Sequence, residues 1–169
     1  MLNHNKVVML EHNNLKLDYQ LCFALYAATH AVTRAYRAGL ERAGITYTQY
    51  LVMMVLWQED GMSVGKIAHK LELDSATLTP MLKKLEAVGF ISRTRNKLDE
   101  RVVEIALTEK GNQLQHEVAS VQEGVACKTG LDDEAFKKLR ADLHHLVERM
   151  SAPSALVHQA SENVSMKNG

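Results

Sequence analysis

The feature that most limits how this chain can fold is a change of hydrophobic period between residues 63 and 108. Apolar residues first recur every three or four positions, on both sides of a short polar turn, in "SVGKIAHKLELDSATLTPMLKKLEAVGF". This period predicts two short helices joined by the turn "ELD". Isoleucine, valine and threonine then alternate with charged residues in "FISRTRNKLDERVVEIALT", which predicts a two-stranded hairpin.

The residues around the turn predict where the second of these helices begins. Asp74 or Ser75 can cap it, because a side-chain oxygen there accepts from the first backbone N–H groups. Pro80 cannot donate to the carbonyl of Ala76, so either this part of the helix is distorted or the helix begins later, near Thr79. The packed face is expected to carry Leu78, Met81, Leu82, Leu85 and Val88.

Further helices are predicted on both sides of this unit. A long amphipathic helix covers residues 17–40, with Asp18 as its N-cap, and a strongly apolar helix lies in "YTQYLVMMVLWQEDG". Two more amphipathic helices follow the hairpin, at 109–128 and at 132–150, the second capped by Asp132. Their apolar stripes need a partner, and a second copy of the chain is the economical one.

These elements predict a mainly α protein, namely a winged helix-turn-helix with a two-stranded β wing and an all-helical dimerisation region. A helix of this kind has the width to enter the major groove of duplex DNA. The expected division is a flexible N-terminal segment at 1–16, N-terminal dimerisation helices at 17–48, the winged helix-turn-helix DNA-binding domain at 49–108, C-terminal dimerisation helices at 109–151 and a disordered tail at 152–169.

The distribution of charge, rather than its sum, favours a polyanionic partner. The chain has no net charge, yet residues 75–97 hold five basic residues and one acidic residue. Such a basic segment is typical of a surface that meets nucleic acid, although chance variation in a solvated surface is the alternative. No apolar run approaches the roughly 18 residues of a membrane span, and the N-terminus does not resemble a signal peptide, so we expect a cytoplasmic protein.

The second helix and the hairpin supply candidate contacts to DNA. Hydroxyl groups at a helix start reach base edges and phosphates, lysines near the backbone release counterions, and an arginine at the hairpin tip can enter the minor groove. The alternatives are plain helix capping by the hydroxyls and an ordinary ion pair between Asp99 and Arg101. The candidate DNA-binding residues are Ser75, Thr77, Thr79, Lys83, Lys84, Arg93, Arg95, Asp99 and Arg101.

The stretches "LDSATLTPMLKKLEAVGFISR" and "DERVVEIALTEKG" resemble the MarR family of transcriptional regulators over roughly residues 17–150. The family's wing pattern is matched by Asp99, Arg101, Leu107, Thr108 and Gly111. The resemblance implies that Asp99 orients Arg101 and that Arg101 reaches the minor groove. It also implies an obligate homodimer on double-stranded DNA, whose operator is an inverted repeat because the dimer has two-fold symmetry.

The chain has only two cysteines, Cys22 and Cys127. Cys22 lies on the apolar stretch "LDYQLCFALYAATHAV", where a cysteine is most often a small buried hydrophobe. Three features favour a reactive thiol instead. Cys22 lies near a helix start, where the dipole favours an anion. Tyr36 and Tyr47 can donate hydrogen bonds to a thiolate, and Cys127 offers a second thiol in a helix of the same dimer-forming region.

The longer stretch "QLCFALYAATHAVTRAYRAGLERAGITYTQYLVMMVLWQEDGMSV" is similar to the OhrR branch of the MarR family, the repressors that sense organic hydroperoxides. The resemblance implies that Cys22, in "LCFALY", is the oxidised cysteine, and that Tyr36 and Tyr47 of the other subunit hold its thiolate, with Tyr26 as a third aromatic. It also implies that Cys127, in "VACKTG", is the resolving cysteine of an intersubunit disulfide that releases DNA. No cofactor and no metal are implied.

Two other functions remain open. The first is a MarR-type repressor that is released by a small aromatic ligand, with structural cysteines. The second is an enzyme, a thiol peroxidase that uses Cys22, although no thioredoxin-like C-x-x-C pair accompanies it. A metal sensor is disfavoured, because the eight histidines are scattered and the adjacent His144 and His145 lie on different faces of a predicted helix.

Overall fold

The computed structural model describes residues 15–152, so the predicted flexible start and disordered tail lie almost wholly outside the described residues. A single 3-10 turn at Leu17–Tyr19 precedes the first helix. The elements are then α1 (Leu21–Arg42), α2 (Tyr47–Gln58), β1 (Met62–Ser63), α3 (Val64–Lys70), α4 (Ser75–Ala87), β2 (Ile91–Arg95), β3 (Val103–Leu107), α5 (Glu109–Lys128) and α6 (Asp133–Ser151).

The β strands form one antiparallel sheet in the order β1-β3-β2. The predicted hairpin is β2 and β3, whose register pairs Ile91 with Leu107 and Arg95 with Val103. The short strand β1 adds a third member, in which Met62 pairs with Ile105. Two residues are too few to show an alternating pattern, so β1 could not be identified from the sequence. The mainly helical fold with a winged helix-turn-helix is confirmed.

The first helix begins later than expected. The prediction that Asp18 caps it is wrong, because residues 17–19 form a separate turn that the bond from the Gln20 backbone N–H to the Leu17 carbonyl closes. Gln20 is the N-cap residue, and its side chain makes no capping bond. Cys22 is consequently the second residue of α1, closer to the helix start than the sequence suggested.

Helix α4 begins at Ser75, and Asp74 is its cap, with Oδ1 accepting from the backbone N–H of Thr77 at 2.6 Å. The alternative start near Thr79 is therefore wrong. Pro80 lies inside the continuous helix, where it leaves the carbonyl of Ala76 without the usual backbone donor. The helix ends at Ala87, so Val88 lies beyond the packed face on which it was predicted and is 43% exposed.

The hydrophobic core includes five apolar or aromatic side chains of α2, namely Tyr50, Val52, Met53, Val55 and Leu56. Sequence periodicity identified its other main sources correctly, since the apolar faces of α3 and α4 are buried. The fully buried side chains are Leu40, Val52, Met53, Leu56, Ile67, Leu78, Leu82, Leu85, Ile91, Ile105 and Leu114. None of the helices within residues 15–152 is long and apolar enough to cross a membrane.

Residues from Thr129 onward form a second compact unit, which contains α6. Asp132 caps this helix as predicted, with Oδ1 accepting from the Ala135 backbone N–H at 2.8 Å. No residue of α6 is buried, and one of its faces shows a series of exposed apolar side chains. They are Phe136, Leu139, Leu143, Val147 and Met150. The division into five segments made from the sequence stays a prediction.

Thr108 and Gly111 join the wing to α5. The Thr108 hydroxyl donates to the Gly89 carbonyl at 2.6 Å and accepts from the Gly111 backbone N–H at 3.0 Å. Gly111 passes so close to the backbone of Phe90 that an added Cβ would overlap the carbonyl oxygen of Phe90. The wing, the end of α4 and the start of α5 are therefore held together at one point.

We expect Gly111→Ala to destabilise the protein by about 3 kcal/mol, because the backbone of Phe90 has to move away from the new methyl group. The matched control is Gly124→Ala in the same helix, where an added Cβ meets nothing within 4 Å. That change should stabilise by about 1 kcal/mol, since alanine is the better helix former. Urea unfolding at equal protein concentration measures both, and equal stabilities of the two variants would contradict the close contact.

Candidate nucleic-acid interface and thiol site

The start of α4 presents hydroxyl groups in fixed orientations. The Thr77 hydroxyl donates to Asp74 Oδ2 at 2.7 Å, and the Thr79 hydroxyl donates to the Ser75 carbonyl at 2.6 Å. The bond from the Thr77 backbone, followed by the bond from its hydroxyl, lowers the pKa of Asp74. Asp74 is therefore a carboxylate at neutral pH, and it holds Thr77 in place on the exposed face of the helix.

The four basic candidates that lie outside the wing tip differ in how far their side chains are exposed. Lys83 and Lys84 are exposed on α4, and Arg95 is exposed at the end of β2. The Arg93 side chain is only 20% exposed, and its Nη1 lies 3.4 Å from Glu86 Oε2. Arg93 thus ties the wing to α4, a structural contact that the sequence did not indicate.

The wing tip is a turn closed by hydrogen bonds between side chains and the backbone. Asn96 Oδ1 accepts from the backbone N–H groups of Leu98 at 2.7 Å and Asp99 at 3.1 Å. Asp99 Oδ1 accepts from both the backbone N–H and Nε of Arg101, each at 3.1 Å. The Arg101 side chain is 92% exposed, so its partner fixes its direction without covering it. The ion pair between Asp99 and Arg101 that the sequence suggested is present.

These elements enclose an open groove of about 400 Å³ between the start of α3, α4 and the wing. Four predicted residues line it together, namely Ser75, Thr79, Arg93 and Arg101. Ser63 was not among the predicted contacts, yet it lines the groove as well. The sequence feature that could have indicated Ser63 is its position as the cap of α3, where its hydroxyl accepts from the Lys66 backbone N–H. A concave surface with arginines and hydroxyl groups suits phosphate oxygens and base edges.

Both cysteines are free thiols with exposed side chains, so neither belongs to the core of the protomer. Cys22 lies in the first turn of α1, and Cys127 is the penultimate residue of α5. Two residues beside Cys22 in the chain are apolar, and Leu21 is 61% exposed. Within residues 15–152, no group of three or more His, Cys, Asp and Glu side chains is arranged to hold a metal ion.

The structure brings two of the three predicted tyrosines together. The rings of Tyr36 and Tyr47 have centroids 5.5 Å apart. Burial raises the pKa of both hydroxyls, and the neighbouring charge of Tyr47 adds to the rise at Tyr36. Tyr26 lies elsewhere, 62% exposed, with its ring edge-on to His30 at 4.3 Å.

A third tyrosine that the sequence did not single out joins the pair. Tyr50 has its ring centroid 5.5 Å from that of Tyr36 and 6.5 Å from that of Tyr47. The available signal was its spacing, because Tyr47 and Tyr50 are three positions apart on one helix and share a face. Tyr50 belongs to the hydrophobic core, since it is only 3% exposed.

The fold and this groove define a winged helix-turn-helix regulator, and comparison with known proteins identifies the family. A family model described as "Transcriptional regulator SarA/Rot" matches residues 34–118. The transcriptional regulator TtmR of Methylorubrum extorquens is 44% identical, over 88% of this chain and 76% of its own length. The organic hydroperoxide resistance transcriptional regulator of Bacillus subtilis is 39% identical, over 82% of this chain and 94% of its own length.

Solved structures agree with this result. Reduced AbfR bound to DNA is 36% identical, with a TM-score of 0.65, and the match covers 79% of this chain and 93% of that one. AbfR in a disulfide form is 38% identical, with a TM-score of 0.56, over 78% and 92%. The chain belongs to the MarR family of transcriptional regulators, in the branch that contains the organic hydroperoxide regulators. It is a DNA-binding transcriptional regulator.

Proposed function

We propose that this protein is a homodimeric repressor that releases its operator when an organic hydroperoxide oxidises Cys22. The observation that carries the proposal is the exposed thiol in the first turn of α1, in a chain that also holds a pair of protonated tyrosine hydroxyls. The similarity to the Bacillus subtilis hydroperoxide regulator supports it. The DNA contacts are the nine residues predicted from the sequence, with Arg101 in the minor groove.

The homodimer is supported by apolar side chains that the protomer leaves exposed. On α1 these include Leu21 and Val32, and α6 has a whole face of them. Apolar surface of this extent is typical of an interface between subunits. A two-fold dimer presents two recognition helices, which suits an inverted-repeat operator with half-sites about one DNA turn apart.

The redox step oxidises sulfur and reduces the peroxide. The thiolate of Cys22 attacks the terminal oxygen of the hydroperoxide, the O–O bond breaks, and the alkoxide takes up a proton and leaves as an alcohol. Cys22 is left as a sulfenic acid. The thiol of Cys127 on the partner protomer then displaces the hydroxyl group as water, and a disulfide forms. This bond would draw α1 of one copy and α5 of the other into a new arrangement that no longer fits the operator.

Tyr36 and Tyr47 are proposed to stabilise the thiolate of the other copy, with Tyr26 as a third aromatic nearby. Both hydroxyls are protonated at neutral pH, as tyrosine hydroxyls ordinarily are, and burial raises their pKa further, so each is a hydrogen-bond donor. Hydrogen bonds to a charged acceptor are the stronger kind, which favours the nucleophilic form of sulfur. The apolar neighbours of Cys22 favour alkyl or lipid hydroperoxides over hydrogen peroxide.

We expect Cys127→Ser to abolish the disulfide-linked dimer while leaving Cys22 oxidisable. In the wild type, a mild dose of cumene hydroperoxide should give a dimer-sized band on a non-reducing gel, which dithiothreitol reverses. In the variant, the sulfenic acid has no partner thiol, so mass spectrometry should find sulfinic and sulfonic acid at Cys22.

Two results would contradict the crossing of subunits. One is a crosslink that persists in Cys127→Ser, which would identify a bond between two copies of Cys22. The other is fully oxidised wild type that runs as a monomer and yields a Cys22–Cys127 peptide on digestion.

A gel-shift assay tests the function as a whole. The DNA is a promoter fragment selected for binding to the reduced protein, and the assay is run with and without cumene hydroperoxide. Release that dithiothreitol reverses supports the proposal, whereas sustained peroxide turnover with a reductant would support a thiol peroxidase.

A repressor released by a small aromatic ligand is the second candidate. A cleft of about 380 Å³ beside Tyr47 has the size for a small aromatic ligand, and Arg34 lines it together with the ion pair of Arg37 and Glu41. DNA release by a phenolic acid, with resistance to peroxide, would favour that candidate over the first.

A further inference from the structure

Asn96 directly follows β2 and makes hydrogen bonds toward both sides of the wing tip. Its backbone N–H donates to the Val102 carbonyl at 2.9 Å, which closes the loop between β2 and β3. Its side-chain Nδ2 donates to Glu104 Oε1 at 2.6 Å. Its Oδ1 accepts from the backbone N–H groups of Leu98 and Asp99. Both ends of the side-chain amide are therefore held.

The Glu104 carboxylate determines which way round the amide of Asn96 lies. An ionised carboxylate accepts hydrogen bonds and donates none, so the amide nitrogen has to face it. The amide oxygen then faces the loop, where the two backbone N–H groups donate to it. Both side chains are partly buried, and a hydrogen bond to a charged group is of the stronger kind. The pair thus joins β3 to the loop in a defined geometry.

The hydrogen bonds of this loop continue to Arg101. Asp99, whose backbone N–H is held by Asn96, accepts with Oδ1 from both the backbone N–H and Nε of Arg101. One series of bonds therefore runs from β3 through Asn96 and Asp99 to the guanidinium. Because the Arg101 side chain is 92% exposed, packing cannot set its direction, and these bonds are left to do so.

We propose that Asn96 is a positioning residue for DNA recognition, which fixes Asp99 through its backbone and thereby aims Arg101 out of the wing toward the DNA. The inference rests on the proposed function, in which Arg101 enters the minor groove. Asn96 itself touches no DNA in this account. A side chain that is held before binding loses less conformational freedom when the complex forms, so the alignment of Arg101 strengthens binding.

The test measures the operator affinity of the reduced, full-length protein at physiological salt, on the promoter fragment selected for binding. Asn96→Ala removes the three side-chain hydrogen bonds and changes no charge. We expect it to bind about fivefold more weakly, because Arg101 is still present but has to be ordered on binding. Arg101→Ala removes the contact itself and should have the larger effect. Asn96→Ala added to Arg101→Ala should weaken binding no further, because no arginine is left to aim.

An exchange of the two side-chain groups tests the role of the pair by rescue. In Asn96→Asp the loop keeps its acceptor, but the second carboxylate oxygen faces Glu104, and the like charges repel each other, so binding should weaken. In Asn96→Asp/Glu104→Gln the new amide can donate to the new carboxylate, and the net charge is that of the wild type. We expect the affinity of this double variant to return to within about twofold of the wild type, since the bond is again charge-assisted.

The single variant Glu104→Gln separates this rescue from a simple change of charge. Loss of one negative charge strengthens binding to DNA wherever it occurs, so a pure charge effect is the same with Asn96 or with Asn96→Asp. The positioning account instead predicts a gain about fivefold larger when Glu104→Gln is combined with Asn96→Asp than when it is made alone.

Three outcomes would overturn the inference. The first is wild-type affinity of Asn96→Ala while Arg101→Ala binds weakly. The second is a further loss when Asn96→Ala is added to Arg101→Ala, and the third is an equal gain from Glu104→Gln in both backgrounds. Failure of the proposed DNA contact looks different, since Arg101→Ala itself would then bind like the wild type.

Discussion

Cys22→Ser is expected to bind its operator as tightly as the wild type and to stay bound at a hydroperoxide dose that releases nearly all of the wild type. The change replaces one sulfur by oxygen on an exposed side chain, so it leaves the core and the DNA-binding groove untouched. A serine hydroxyl lacks a thiolate's reactivity toward the peroxide bond. Fluorescence anisotropy of labelled operator, before and after addition of cumene hydroperoxide, measures the response.

Cys127→Ser is the matched control for this experiment, because it removes the other thiol and keeps the sensor. Mass spectrometry of that variant should still find the first oxidation step at Cys22, and because no disulfide can follow, Cys22 should then overoxidise. If Cys22→Ser releases DNA like the wild type, another residue is the sensor and the proposed mechanism fails.

Arg101→Ala is expected to weaken operator binding roughly 10- to 100-fold, in line with the 1–3 kcal/mol that an arginine contact to bases is typically worth. The physical reason is the geometry of the wing, where Asp99 aligns a side chain that remains 92% exposed. The protein should keep its stability, because Arg101 makes no contact with the core. Operator affinity measured at several salt concentrations separates this effect from a general loss of charge.

Lys97→Ala is the control for position and charge, since Lys97 is an exposed residue of the same wing tip. It should weaken binding only slightly and uniformly across DNA sequences. Equal affinity of Arg101→Ala and the wild type at physiological salt would remove the wing arginine from DNA recognition.

The winged helix-turn-helix could be predicted because its signals are local. The apolar faces of α3 and α4 recur at helical spacing, and the hairpin alternates at strand spacing, so both patterns are visible within short windows. Leu78 and Ile105, for example, are fully buried where their patterns place them. Asp74 could be identified as a cap for the same reason, since it acts on residues a single turn away.

The features that could not be predicted from the sequence depend on competition between local structures or on contacts between residues far apart in the chain. Asp18 is a good capping residue, yet it lies within a 3-10 turn, and Gln20 is the N-cap of the helix. Strand β1 exists through its pairing with β3, more than forty positions away in the chain. The ring contact between Tyr50 and Tyr36 likewise joins α2 to α1, and no periodicity within either helix reveals it.

The most direct test of the central claim follows DNA release and Cys22 oxidation in the same samples. Wild-type protein on labelled operator is titrated with cumene hydroperoxide, anisotropy gives the bound fraction, and mass spectrometry of each quenched sample gives the oxidation state of Cys22. The account predicts that the bound fraction falls in proportion to oxidised Cys22. DNA that stays bound when Cys22 is fully oxidised, or leaves while Cys22 is still reduced, would contradict it.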